Sequence, residues 1–187
     1  MSIRLIAAAL VLGCLSAPSA RAQTDIPKVE IGVGYQYLYD KQAGEGTSFP
    51  AGWVASLTGN VNDWLGLMAE FSGSYKTVTE LGVENKFSVH TFMGGLKFAK
   101  YAPRGAAFFQ MLAGGAKLKT SAEAPGASLE LSTTKFAIQP GIGLDGRLTD
   151  HLRVRIGGDY RLIFTDVEKT NEWRAHAGFV ITFGPTS

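Results

Sequence analysis

The 187-residue sequence predicts an all-β fold, an eight-stranded antiparallel up-and-down barrel that crosses a membrane by strands. Three observations predict it. Segment after segment alternates apolar side chains with polar or small ones over the ~9–11 residues that a transmembrane strand needs. The links between these segments run long and short in turn, as in barrels with loops on one side and tight turns on the other. Aromatic residues gather at segment ends, where one ring edge meets lipid and the other meets water. No apolar run reaches the ~20 residues of a helical span, so insertion falls to strands.

The N-terminus reads as an export signal over residues 1–22. Arg4 supplies the positive start, residues 5–12 are a short apolar run, and Ala20-Arg21-Ala22 fits the small-x-small cleavage pattern, with the cut between Ala22 and Gln23. Val11-Leu12-Gly13-Cys14 is a looser match to a lipoprotein signal, in which Cys14 would carry the lipid instead. Cys14 is the only cysteine, so residues 23–187 hold no disulfide and no thiolate metal site. Losing Arg4 and Arg21 from the 18 basic residues leaves 16 against 16 acidic ones. That balance gives no electrostatic case for nucleic acid. Residues 23–187 suit one domain, since no proline-rich or charge-rich linker divides them.

The strands follow in order. Val29, Ile31, Val33, Tyr35, Tyr37 and Tyr39 alternate with Glu30, Gly32, Gly34 and Gln36. Trp53, Ala55, Leu57 and Val61 alternate with Ser56, Thr58 and Asn60. Leu65, Leu67, Ala69, Phe71 and Tyr75 alternate with Gly66, Glu70, Ser72 and Ser74. In 87–98, taking Phe92, Leu96 and Phe98 outward turns Thr91, Gly95 and Lys97 inward. Residues 106–119 support either parity, with Gln110 inside between Phe109 and Met111 as the preferred one. Phe136, Ile138, Ile142 and Leu144 alternate with Lys135, Gln139, Gly141, Gly143 and Asp145. Leu152, Val154, Ile156 and Tyr160 alternate with Arg153, Arg155, Asp159 and Arg161. Trp173, Ala175, Ala177, Phe179, Ile181 and Phe183 alternate with Arg174, His176, Gly178 and Thr182.

Long links are expected at 40–50, 76–86, 120–132 and 163–172, and short ones at 62–63, 99–105 and 146–150. With short turns on the periplasmic side, both termini are expected in the periplasm. Tyr37, Tyr39, Trp53, Tyr75, Tyr160 and Trp173 then fall near the outer rim, and Trp64, Phe98, Tyr101 and Phe183 near the inner one.

The last third resembles the small OmpA/OmpX-like outer-membrane β-barrel family. The residues that carry the resemblance are Gln139-Pro140-Gly141-Ile142-Gly143-Leu144-Asp145, the turn at Leu148-Thr149-Asp150, Arg153-Val154-Arg155 and Asp159-Tyr160-Arg161. The closing strand is similar to that family's assembly signal, with His176, Gly178, Ile181 and Phe183 in its places, although Gly184-Pro185-Thr186-Ser187 follow the aromatic. The resemblance implies a bacterial outer-membrane location, the barrel assembly machinery as a folding partner, and outer-membrane lipid and lipopolysaccharide as surroundings. A monomer is expected.

The inward rows collect Glu30, Glu70, Asp145 and Asp159 with Lys97, Lys135, Arg153, Arg155, Arg161 and Arg174. Strand direction puts Glu30, Lys97, Asp145, Arg153 and Arg155 toward the periplasm and Lys135, Asp159, Arg161 and Arg174 toward the exterior. An eight-stranded barrel is just wide enough to be filled by side chains, and buried charges must be paired. A structural ion network that plugs the lumen is therefore expected.

Catalytic patterns are sparse. Ser88 and His90 share one parity without an evident third partner; His151 falls in a short turn; and no histidine pair has carboxylates at metal-site spacing. Gly32–Gly34 and Gly141–Gly143 lack the longer dinucleotide fingerprint, so no cofactor is expected. The expected role is a structural anchor or surface-interaction scaffold rather than an enzyme, with any surface ligand met by the four long links. A lipid-modifying barrel enzyme and a soluble lipocalin-like binding barrel, with its apolar rows turned inward, are the alternatives.

Overall fold

In β1 (Pro27–Gln42) the odd residues from Val29 to Tyr39 are exposed, while Glu30, Gly32, Gln36 and Leu38 are buried. Successive side chains of a strand point to opposite faces, so one row meets the outside and the other meets the axis. A computed structural model describes residues 26–42, 45–80, 83–124, 127–164 and 169–185, and this alternation recurs through them. The expected signal 1–22, Cys14 and the cut between Ala22 and Gln23 lie outside the described residues.

The remaining strands are β2 (Glu45–Phe49), β3 (Ala51–Asn60), β4 (Leu65–Glu80), β5 (Val83–Ala102), β6 (Gly105–Ala124), β7 (Ala127–Arg147), β8 (Leu152–Phe164) and β9 (Lys169–Pro185). Pairing is antiparallel between chain neighbours, and β1 also pairs with β9 from Pro27↔Pro185 to Lys41↔Asn171. That last ladder closes the barrel and leaves no open edge, the condition for strands in hydrocarbon.

β2 and β3 form one stave broken at Pro50, which has no N–H to give a ladder. Between Leu38↔Phe49 and Tyr35↔Trp53, residues 36–37 of β1 face residues 50–52. The extra residue is a bulge, and it resets parity so that Phe49 is buried while Trp53 is exposed. Eight staves result.

The greasy rows face outward, with Ile142 67%, Phe92 61% and Val33 57% exposed. Such rows would be unstable against water and suit lipid. A lipocalin-like barrel would need them on the axis. Gln110 is buried between exposed Phe109 and Met111, which settles the ambiguous parity of 106–119.

Three expectations need correction. The long links are largely strand: β4 and β5 pair out to Glu80↔Val83, and β6 and β7 to Ala124↔Ala127. Once the rim holds two strands side by side, segments with alternating Thr, Val and Ser extend the existing ladder. The tips 43–44, 81–82, 125–126 and 165–168 lie outside the described residues. On the inner side, Ala99–Ala102 also joins β5, so only Pro103 and Arg104 remain as a link. Second, Tyr101 is no lipid-facing rim residue, because its hydroxyl donates to Glu30 Oε1 at 2.6 Å inside the barrel. Third, Glu172 belongs to β9 and is fully buried rather than lying in an acidic loop.

Candidate functional site in the barrel lumen

The buried rows meet in two tiers of hydrogen-bonded charge. In the inner tier, Glu30 of β1 accepts from Lys97 Nζ at 2.5 Å, Arg155 Nη2 at 2.9 Å and Tyr101 OH at 2.6 Å. Asn60 adds a bond to the same carboxylate at 3.2 Å. Asp145 accepts from Nε and Nη2 of Arg155, both at 2.7 Å, a planar fork that matches the carboxylate. The Phe108 ring lies between the two cations, 4.9 Å from Lys97 Nζ and 4.7 Å from the Arg155 guanidinium.

The outer tier centres on Arg174 of β9. Its Nε and Nη2 donate to Asp159 Oδ2 at 2.9 and 2.6 Å, its Nη1 to Gln36 Oε1 at 2.9 Å, and its Nη2 to Glu70 Oε2 at 2.9 Å. Gln139 donates to Glu70 at 2.9 Å and accepts from Arg161 Nε at 2.8 Å. Arg161 Nη1 then donates to Glu172 at 2.9 Å, and Gln110 donates to Asp159 Oδ1 at 2.6 Å. Burying these ions is offset only because nearly every lone pair and proton is used. Lys97 and Arg161 are fully buried, so no water column runs past them.

The network thus joins Glu30, Lys97, Asp145 and Arg155 in one tier and Glu70, Asp159, Arg161 and Arg174 in the other. Arg153 stands apart at the inner mouth, its guanidinium 5.3 Å from the Tyr101 ring and its Nη1 without a hydrogen-bond partner. Lys135 is half-buried on the inward row of β7, farther out than Gln139. His176 is buried, with Nε2 3.4 Å from Asp159 Oδ2. Gly178 faces Gly34 across the closing seam, where a Cβ would collide with the Val33 carbonyl. Ile181 and Phe183 are exposed on the outer face.

Parity reasoning passed over Gln36, Gln110 and Gln139 as members of the network, although all three stand on the inward rows. Glu172 was legible too, as the even-numbered continuation of Arg174 and His176. The apolar part of the lumen carried no such signal. Met68, Met93, Leu112, Ala116, Ala137 and Ile163 form one buried cluster, and Leu38, Phe49 and Val89 another toward the outer mouth. The inward row is therefore not uniformly polar; apolar side chains complete the plug where the ion tiers leave space.

Nothing here is arranged for bond-making chemistry. His90 Nε2 lies 3.0 Å from the Tyr75 hydroxyl on the outer wall, and the contact involves neither Ser88 nor an acid. Among the described residues, no group of three or more His, Cys, Asp or Glu is placed to hold a metal ion.

The family described as outer membrane protein beta-barrel domain matches residues 7–180. No curated protein matches the chain. Among solved structures, it is similar to Ail, the attachment invasion locus protein of Yersinia pestis, at 19% identity and a TM-score of 0.61 over 83% of this chain and 99% of Ail. It is similar to Neisserial surface protein A at 11% identity and a TM-score of 0.65, over 83% of this chain and 97% of the other. The N-terminal β-barrel domain of Pseudomonas aeruginosa OprF aligns at 14% identity and a TM-score of 0.51, over 84% of this chain and 98% of that domain. At these identities the likeness establishes the fold.

Proposed function

The chain belongs to the outer membrane protein β-barrel domain family, and from that premise we propose that it is a non-enzymatic surface scaffold, a plugged barrel that holds four hairpins outside the cell. Its location is the bacterial outer membrane. The observation that carries the proposal is the pairing of a filled lumen with hairpins that run well past the apolar band, as at Glu80↔Val83 and Ala124↔Ala127. A filled lumen disfavours transport, and surface segments on a rigid frame are where recognition residues usually lie. Ail, similar in fold, is named for attachment and invasion.

Residues 1–22 act as a signal removed before Gln23, residues 23–187 form the barrel, and both termini lie in the periplasm. His176, Gly178, Ile181 and Phe183 serve as the signal for the barrel assembly machinery. The barrel works as a monomer surrounded by lipid and lipopolysaccharide.

The test is attachment of intact bacteria to host-cell matrix, with and without trimming of 79–84 to Asn-Gly and of 122–129 likewise. Attachment is expected to fall while heat-modifiable gel migration persists. Attachment unchanged by both trims would refute the scaffold role, and external protease cutting near the termini of intact cells would refute the orientation.

A further inference from the structure

The outer wall of β5 and β6 changes character at its outer end. Outward positions on β6 run through Ala107, Phe109, Met111, Ala113 and Gly115, and then become Lys117 and Lys119. The register sets His90 opposite Lys117 and Ser88 opposite Lys119, and Lys86 follows on the same outward row of β5. Across on β7, Thr134 and Ser132 pair with the two lysines. Three lysines and a histidine thus share one patch on two adjacent strands. Among the described side chains, no Asp or Glu faces outward on β4 to β7. Glu84 and Glu123, opposite one another, come farther out along the ladder.

Their height can be reckoned along the strand. Phe109 belongs to the inner aromatic girdle, stacked with Phe98 at 6.2 Å, which stacks in turn with Trp64 at 6.0 Å. From Phe109 to Lys119 is about 33 Å of strand, or about 25 Å of height at a tilt near 40°. That equals the ~25 Å height of a barrel's apolar band. Lys117 starts slightly lower, and its alkyl stem lets the ammonium reach up to the headgroups. Beside the patch, Trp53 Nε1 donates to the Tyr75 hydroxyl at 3.2 Å, and that oxygen meets His90 Nε2 at 3.0 Å. An aromatic girdle at this level marks the headgroup layer.

Like charges set together on neighbouring strands repel, and a bound anion relieves the repulsion. At headgroup depth the anion is a lipid phosphate, and attraction is strengthened by the low dielectric below. We propose that Lys86, His90, Lys117 and Lys119 bind the phosphorylated headgroup of an outer-leaflet glycolipid on the outer wall. This deepens the lipid partnership proposed above and rests on the hairpins pointing outward.

Folded barrel in detergent micelles is titrated with fluorescent bis-phosphorylated lipid A. Replacing Lys117→Gln and Lys119→Gln together is expected to weaken binding, about fivefold for each lysine removed. Lys100→Gln, at the inner end of the same wall, is expected to leave binding unchanged. Lipid A without phosphates is expected to bind the wild type as weakly as phosphorylated lipid A binds the double variant. Heat-modifiable migration checks that each variant is folded, and Lys117→Gln alone serves if the double variant is not. Equal affinity of folded variant and wild type, or indifference to the phosphates, overturns the proposal. Sucrose octasulfate bound as tightly as lipid A would assign the patch to a soluble polyanion and overturn it as well. Micelle titration does not depend on orientation, so a failure here is separable from failure of the protease experiment.

Discussion

A missing side chain at Gly141 makes room for the outer tier. A Cβ there would collide with Oδ1 of Asp159, the oxygen that accepts from Gln110. Gly141→Ala is expected to push Asp159 away from Arg174 and destabilise the barrel by about 1–3 kcal/mol, an overpacking penalty, read by urea unfolding in lipid vesicles. A neutral result would mean that the Asp159 carboxylate has another place to go. At the inner turn, Asp150 is held below the usual aspartate range by the hydrogen bond and charge of Arg147. A lowered carboxyl adds stability above the unfolded-state value, ~3.9, and loses it as pH falls through the folded one. This pair is open to water, so Asp150→Asn should lower the unfolding midpoint slightly at neutral pH and low salt, and not at all in acid or high salt. A midpoint loss that persisted in acid would point to packing instead.

Each strand has two incompatible faces, and β8 makes the point sharply. Arg153 and Arg155 are buried on the lumen side, while Val154 between them is exposed to lipid. Val154→Arg is expected to cost about 2–4 kcal/mol near mid-depth in vesicle unfolding, although the same residue type is native on either side of it. An equal midpoint for this variant and the wild type would mean that the faces of β8 are exchanged. The two arginines are also held differently. Arg155 is locked bidentately to Asp145, whereas Arg153 rests on the Tyr101 ring. The β2–β3 stave shows how a strand can change face: without the bulge at residues 50–52, Phe49 and Trp53 would point the same way.

The whole molecule is a filled tube rather than a channel. Fully buried Lys97, Arg161 and Arg174 span the lumen to carboxylates on distant strands, as in Arg174 with Glu70 and Arg155 with Glu30. Opening a path would leave several charges unpaired at low dielectric, at about 3–5 kcal/mol for each broken pair. Planar bilayers are therefore expected to show low conductance without a stable large open level. Long-lived large openings would reject the plugged lumen. Met68, Met93, Leu112 and Ile163 add an apolar stopper beside the ions, so removing one charge does not by itself clear the axis.

Strand number, strand order and the facing of most rows were readable from the chain alone, because a period of two is a local property that each side chain obeys. Glu30, Glu70, Asp145, Asp159 and the basic residues around them could likewise be assigned to the axis by parity. Which of them pair could not be read, since Arg155 reaches Glu30 across 125 positions only after β9 closes on β1. The outer hairpins, the burial of Glu172 and the inward turn of Tyr101 were also decided in three dimensions. Ladder extension and lumen filling depend on what already stands alongside, and a linear pattern carries no record of its neighbours.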